Sequence, residues 1–155
     1  MNAVRLAASE WRRFKAIRLR SLLDAPEAFG STYAETAARP DATWQAHARD
    51  FAVFVAVHEG EDVGTARGLA DPQEATDAML LSMWVDPSVR GQGAGDALVE
   101  ALITWARTEG FARLTLEVGD TNAPAIRLYA RWGFERDPEA SVSPGEHQRT
   151  LPLLP

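Results

Sequence analysis

Hydrophobic positions change their period several times along the chain, and each change predicts an element. Val4 to Leu6 is a short extended run, and from Glu10 to Leu23 the residues Trp11, Phe14 and Ile17 and the leucines recur at helical spacing between arginines. Further helical pieces are predicted around Pro26 to Ala38 and over Ala42 to Arg49. Phe51 to Val57 is nearly all apolar and β-branched, the composition of a central strand, and the polar turn His58 to Asp62 joins it to Val63 to Leu69 as a hairpin. After a loop from Ala70 to Asp77, Met79 to Val85 is the next strand. Gly93 to Glu109 is a helix with Leu98, Leu102 and Trp105 at core spacing and Gly110 at its end. Phe111 to Val118 is a strand; the helix after it is capped by Thr121 or Asn122, has Pro124 in its first turn and stops at Gly133. Asp137 to Gly145 reads as a loop and His147 to Leu153 as a last strand. Neither an internal repeat nor a linker interrupts this order, so one domain over residues 1–155 is expected.

The stretch Leu81 to Leu98 carries the most chemistry. An apolar strand turns at Asp86-Pro87 and runs through Arg90-Gly91-Gln92-Gly93-Ala94-Gly95-Asp96 into a helix. The unpaired N–H groups of a first helical turn, with the positive end of the helix dipole behind them, make a seat for phosphate. Glycines let a ligand approach the backbone and allow positive φ. A tight strand-to-helix turn with a solvated Arg90 explains the same residues. Two familiar phosphate loops do not fit: no Lys follows the glycines, since Lys15 is the only lysine, and the G-x-G-x-x-G spacing reaches Asp96 or Leu98 instead of glycine.

What fits is R-x-x-G-x-G, Arg90 to Gly95, which resembles the acyl-CoA pyrophosphate loop of the GCN5-related N-acetyltransferase family. A second motif strengthens the resemblance: Asn122, Ala125, Tyr129, Gly133 and Phe134 stand at the spacings of the family's N-x-x-A-x-x-x-Y helix and following G-F. The likeness is good over roughly residues 50 to 136. It implies a single-domain α/β acyl-CoA N-acyltransferase fold, with a mixed sheet of about six to seven strands, about four flanking helices and a splay between the two central strands. It implies acetyl-CoA as co-substrate, with a longer acyl donor left open. Its pyrophosphate is expected on Arg90, Gly91, Gln92, Gly93, Ala94, Gly95 and Asp96, its thioester carbonyl near a backbone N–H of Met83, Trp84 or Val85, and its pantetheine arm near Asn122 and Tyr129. Asn122 is equally suited to capping its own helix.

Composition narrows the class. The chain has 46% hydrophobic and 25% charged residues, as a globular domain does, and no cysteine, which removes disulfides, thiolate zinc sites and a cysteine acyl-enzyme. His47, His58 and His147 lack metal-ligand spacing and read as surface or loop residues, so no metal is expected. A net charge of −6 argues against a nucleic-acid partner. The N-terminal stretch has no apolar signal core and no run is long enough to span a bilayer, so a cytoplasmic protein away from membranes is expected.

The resemblance implies transfer of an acetyl group to a primary amine of a small molecule or a peptide or protein N-terminus, by direct attack in a ternary complex. Tyr129 is then the acid that serves the departing thiolate. Glu117, twelve residues earlier on a strand, matches the spacing of a Glu base and Tyr acid in family members that acetylate protein N-termini. A pairing of Glu117 with Arg113 or Arg127 is the structural alternative, and Ser82 and His147 are weaker base candidates. Acceptor contacts are expected from the N-terminal helices, at Glu27, Phe29 and Tyr33. Homodimers are common in the family. A non-catalytic acyl-CoA-binding domain of the same fold is the rival function.

Overall fold

The computed structural model describes residues 1–26 and 32–154. Among them lie seven strands, β1 (Asn2–Arg5), β2 (Ala52–His58), β3 (Glu61–Ala70), β4 (Asp77–Val85), β5 (Arg113–Gly119), β6 (Glu135–Asp137) and β7 (Glu146–Pro152). The α-helices are α1 (Trp11–Asp24), α2 (Tyr33–Ala37), α3 (Asp41–Asp50), α4 (Ala94–Thr108) and α5 (Ala123–Arg131). The strands make one mixed sheet, as the resemblance implies, in the order β1-β2-β3-β4-β5-β7-β6. No helix among the described residues is long and apolar enough to cross a membrane.

Two compact units can be separated, Met1–Arg67 with Ser82–Leu98 and Gly68–Leu81 with Val99–Pro155. In the first, β2 is buried from Ala52 through Ala56 because Val, Phe and Val fill both faces of a strand flanked by β1 and β3. Its turn into β3 places Glu59 at φ 51° and Gly60 at φ 79°, the left-handed pair that suits the twist of a two-residue hairpin. The apolar stripe of α1, with Trp11, Phe14 and Ile17, packs in one core with Trp44, Val53, Val55 and Trp84.

In the second unit α4 buries Val99, Leu102 and Ala106, while β5 buries Leu114, Leu116 and Val118. β4 and β5 run parallel, paired from Asp77–Arg113 to Met79–Thr115. That ladder stops there, although β5 continues to Gly119, paired along its other edge with β7. Gly68 shows how closely this unit is packed: a Cβ there would lie 2.3 Å from Cζ3 of Trp105. Gly68→Ala is therefore expected to lower unfolding free energy by ~1–3 kcal/mol, measured by urea denaturation, because an indole ring must move to admit the methyl.

Three expectations need correction. The helix placed over Pro26 to Ala38 forms α2 only at Tyr33–Ala37, where Thr32 Oγ1 accepts the Glu35 amide at 3.1 Å as an N-cap. Glu135 and Arg136, given no element in the sequence reading, and Asp137, read there as the start of a loop, form β6, and β7 lies between β5 and β6. His147 is a buried strand residue with 5% exposure, not a surface one, and His47 lies within α3.

Candidate active site

In the first unit, β4 delivers the chain to a short turn at Pro87–Val89, capped by Asp86, whose carboxylate accepts the Ser88 amide at 2.9 Å. Gly91 (φ 80°) and Gly93 (φ 96°) then take left-handed conformations that a side chain would strain, with open space where each Cβ would stand. The Ala97 amide donates to the Gly93 carbonyl at 3.0 Å as α4 begins, so the amides of Ala94 and Gly95 precede the first intrahelical bond. Gly95 already belongs to α4 and lies outside the positive-φ set. Gln92 is exposed, Ala94 is buried, and Asp96 sits half-buried in the first turn.

Arg90 is held differently from the sequence reading. Nε donates to the Val85 carbonyl at 3.0 Å and Nη2 to Asp24 Oδ2 at 3.1 Å, so two of its donors secure the turn to β4 and to the end of α1. Asp24 Oδ2 also accepts the Trp84 Nε1 proton at 2.8 Å. Asp24 is a positioning residue that sequence spacing did not reveal, since its partners are 60 and 66 residues away. Met83, Trp84 and Val85 end β4, and Tyr33 opens α2 with 40% exposure. Glu27 and Phe29 lie outside the described residues. Ser82 adopts φ 57° and its Oγ accepts a hydrogen bond from Arg67 Nη2 at 3.3 Å, and a hydroxyl beside a cation is unsuited to act as a base.

In the second unit, β5 leads through Asp120 and Thr121 to α5. Asn122 Oδ1 accepts the Ala125 amide at 3.3 Å, so the capping role is realised. At the far end, Gly133 (φ 93°) reverses the chain and lets the Phe134 amide donate to the Tyr129 carbonyl at 3.1 Å. Phe134 thereby packs edge-on against Tyr129, ring centroids 5.9 Å apart. The G-F pair fixes the tyrosine from both backbone and ring. Tyr129 is 4% exposed, and this burial pushes its phenol well above its ordinary pKa, so it is a neutral hydroxyl at working pH.

Glu117 projects from an exposed position of β5 opposite Gln148. Partial desolvation raises its pKa, and Glu146, two residues along β7, raises it further. Arg113 does not neutralise it, because Nε and Nη2 of that arginine bind both oxygens of Asp77 at 3.1 and 2.9 Å. His147 is not a base candidate: Nδ1 meets Asp120 Oδ1 at 2.8 Å and Nε2 accepts from Arg149 Nε at 3.1 Å. Both ring nitrogens are committed.

The acetyltransferase (GNAT) family model matches residues 16–134. Mycothiol acetyltransferase of Brachybacterium faecium is 32% identical over 122 residues, covering 77% of this chain and 36% of that protein. Ribosomal protein bS18-alanine N-acetyltransferase of Escherichia coli (strain K12) is 47% identical over 58 residues, 37% of this chain and 39% of the relative. The match thus spans well under half the length of these curated relatives. Among solved structures, yncA from Salmonella typhimurium, determined with its cofactor acetyl-CoA, shares the fold at TM-score 0.76 and 22% identity, over 100% of this chain and 95% of that one.

Proposed function

Because the chain belongs to the acetyltransferase (GNAT) family, which uses acetyl-CoA, we propose that it transfers the acetyl group to a primary amine of a small molecule or a peptide N-terminus. The observation that carries this reading is the turn into α4, where Gly91 and Gly93 at positive φ leave the space above the helix-start amides open. Such a turn suits a diphosphate: backbone donors and the helix dipole meet its charge, and the absent side chains admit it. Arg90, held by Asp24 and Val85, keeps the turn in place.

Acetyl-CoA supplies the thioester that is cleaved. A backbone amide of Met83 to Val85 is assigned to the carbonyl oxygen, where it stabilises negative charge as the nitrogen attacks. The C–N bond forms, Glu117 takes the proton released from nitrogen, directly or through one water, and the C–S bond breaks. Tyr129 donates a hydrogen bond, and finally its proton, to the departing sulfur. Glu117 and Tyr129 are then reset by proton exchange with solvent. Asn122 holds α5 in register and contributes its amide to the donor's arm. With no cysteine in the chain, direct transfer is preferred over an acyl-enzyme.

The test is thiol release from acetyl-CoA across a panel of polyamines, amino acids, aminoglycosides and N-terminal peptides. Release stimulated by at least one amine class supports the enzyme. Tight acetyl-CoA binding with no stimulation by any amine establishes a binding domain instead. Glu117 has its own signature. Its raised pKa means that the base form fills only as pH climbs through a value above the usual glutamate range of ~4.3, which sets an acidic limb in kcat/KM. Glu117→Gln is expected to abolish that limb and lower the neutral-pH rate by ~100-fold. A limb that survives the substitution would assign it to another group.

A further inference from the structure

The first unit holds a cationic cluster that the transfer chemistry does not use. Arg67, on β3, lies with its guanidinium carbon 4.5 Å from the Phe51 ring centroid and 5.9 Å from that of Phe14. One nitrogen donates to Ser82 Oγ at 3.3 Å, while Nε is buried with no partner. The charged side chains that act on Arg67 are Arg18 of α1 and Arg39 between α2 and α3, both cations. Burial first, and then those two charges, lowers the Arg67 pKa to about 10. Among the described residues no carboxylate is paired with it.

His47 extends the cluster from α3. Its ring stands edge-on to Phe51 at 5.3 Å, and its Nδ1 is buried and unpartnered. Burial, Arg67 and Arg39 all favour its neutral form; Asp50 acts in the opposite sense, but its carboxylate already accepts from Arg49 Nε at 3.1 Å. A guanidinium withdrawn from water with no anion beside it is costly, and its unpartnered Nε calls for an explanation beyond the two rings it stacks on. The position matters as much as the charge. Ser82, to which Arg67 is bonded, directly precedes the Met83–Val85 stretch assigned to the acetyl carbonyl, and one strand residue advances ~3.3 Å, the scale of the carboxylate-to-amine span in an amino acid.

We infer that Arg67, stacked on Phe51 and tied to Ser82, anchors a carboxylate carried by the acceptor, so that the acceptor class is a small free amino acid. This rests on the acetyl-transfer reading above and narrows its acceptor. A planar guanidinium fork offers two parallel donors to a carboxylate, and a neutral amide of the same size leaves them unanswered.

The experiment compares free amino acids with their carboxamides and with dipeptides of the same N-terminal residue, by rate and by calorimetric binding. Wild type is expected to prefer the free amino acids by ~10-fold or more in kcat/KM. Arg67→Gln should erase that preference through KM, leaving kcat, acetyl-CoA affinity and the rate with carboxamides near wild type. Arg67→Lys, which keeps the charge and loses the fork, should retain part of the preference. This variant also decides the matter if the Gln variant fails to fold. Equal rates for carboxamides or dipeptides, or a preference unchanged in both variants, would overturn the assignment. Should no amine be acetylated, the transfer reading falls by itself; calorimetry then decides Arg67, since binding of amino acids but not carboxamides upholds the anchor and equal or absent binding refutes it.

Discussion

Replacing Tyr129 by Phe is expected to lower kcat by ~100-fold or more while acetyl-CoA affinity stays within about a factor of two. The substitution removes one oxygen from a side chain whose place is fixed by other means. The Tyr129 carbonyl accepts the Phe134 amide at 3.1 Å, and the ring rests edge-on against Phe134, which is itself 1% exposed. Phe retains both contacts, so the loss falls on the leaving-group step. Burial keeps the phenol protonated well above its ordinary range, and wild type should therefore show no alkaline limb from Tyr129 below about pH 10. The stability sign follows: the unfolded chain ionises first, so the contribution is intact below the unfolded pKa of ~10 and is lost as pH rises through the higher folded value. Tyr129→Phe should remove that alkaline loss. A kcat near wild type would assign the hydroxyl to packing, and a matching fall in acetyl-CoA affinity would assign it to binding.

Gly93→Val is expected to weaken acetyl-CoA binding by at least ~10-fold, equivalent to ~1.4 kcal/mol. Gly93 sits at φ 96°, where a β-branched residue is strained by ~1–3 kcal/mol, so the turn must shift or the methyl groups must stand over the amides. Nothing lies within 4 Å of the added Cβ, and the fold has room for the side chain. Gly60→Val provides the control, since Gly60 has φ 79° and equally open surroundings in the β2–β3 turn. Both variants should lose stability in thermal unfolding. Only the first should lose acetyl-CoA affinity, read by calorimetry; equal affinities in the two would remove the turn from the cofactor site.

The elements that announced themselves in the sequence are those whose boundaries are written in local chemistry. Asn122 caps α5, Gly133 closes it, and Gly91 and Gly93 adopt the conformations that make glycine necessary there. These motifs carried the fold class and most of the candidate site. What stayed hidden depends on contacts distant in sequence. Asp24 joins Trp84 and Arg90 across more than half the first unit's sequence span, and no local pattern marks an aspartate at a helix end as a clamp. β6 is three charged or polar residues, too short for any period, and is a strand only because β7 pairs with it. His147 alternates into the interior of a strand whose neighbours Glu146 and Gln148 look like surface, so its burial was masked. Arg67 likewise carries no local mark in its strand, and only tertiary packing sets it over Phe51.

The account stands on direct acetyl transfer from acetyl-CoA to an amine, and the most direct measurement is the stoichiometry of that reaction. Purified protein, acetyl-CoA and the best amine of the panel would be followed for free thiol and for N-acetylated amine by mass spectrometry, with the intact protein mass recorded when amine is omitted. The account predicts one N-acetylated amine for each thiol released and an unmodified protein. Thiol release without N-acetylated amine, or an acetylated protein that passes its group on, would contradict it.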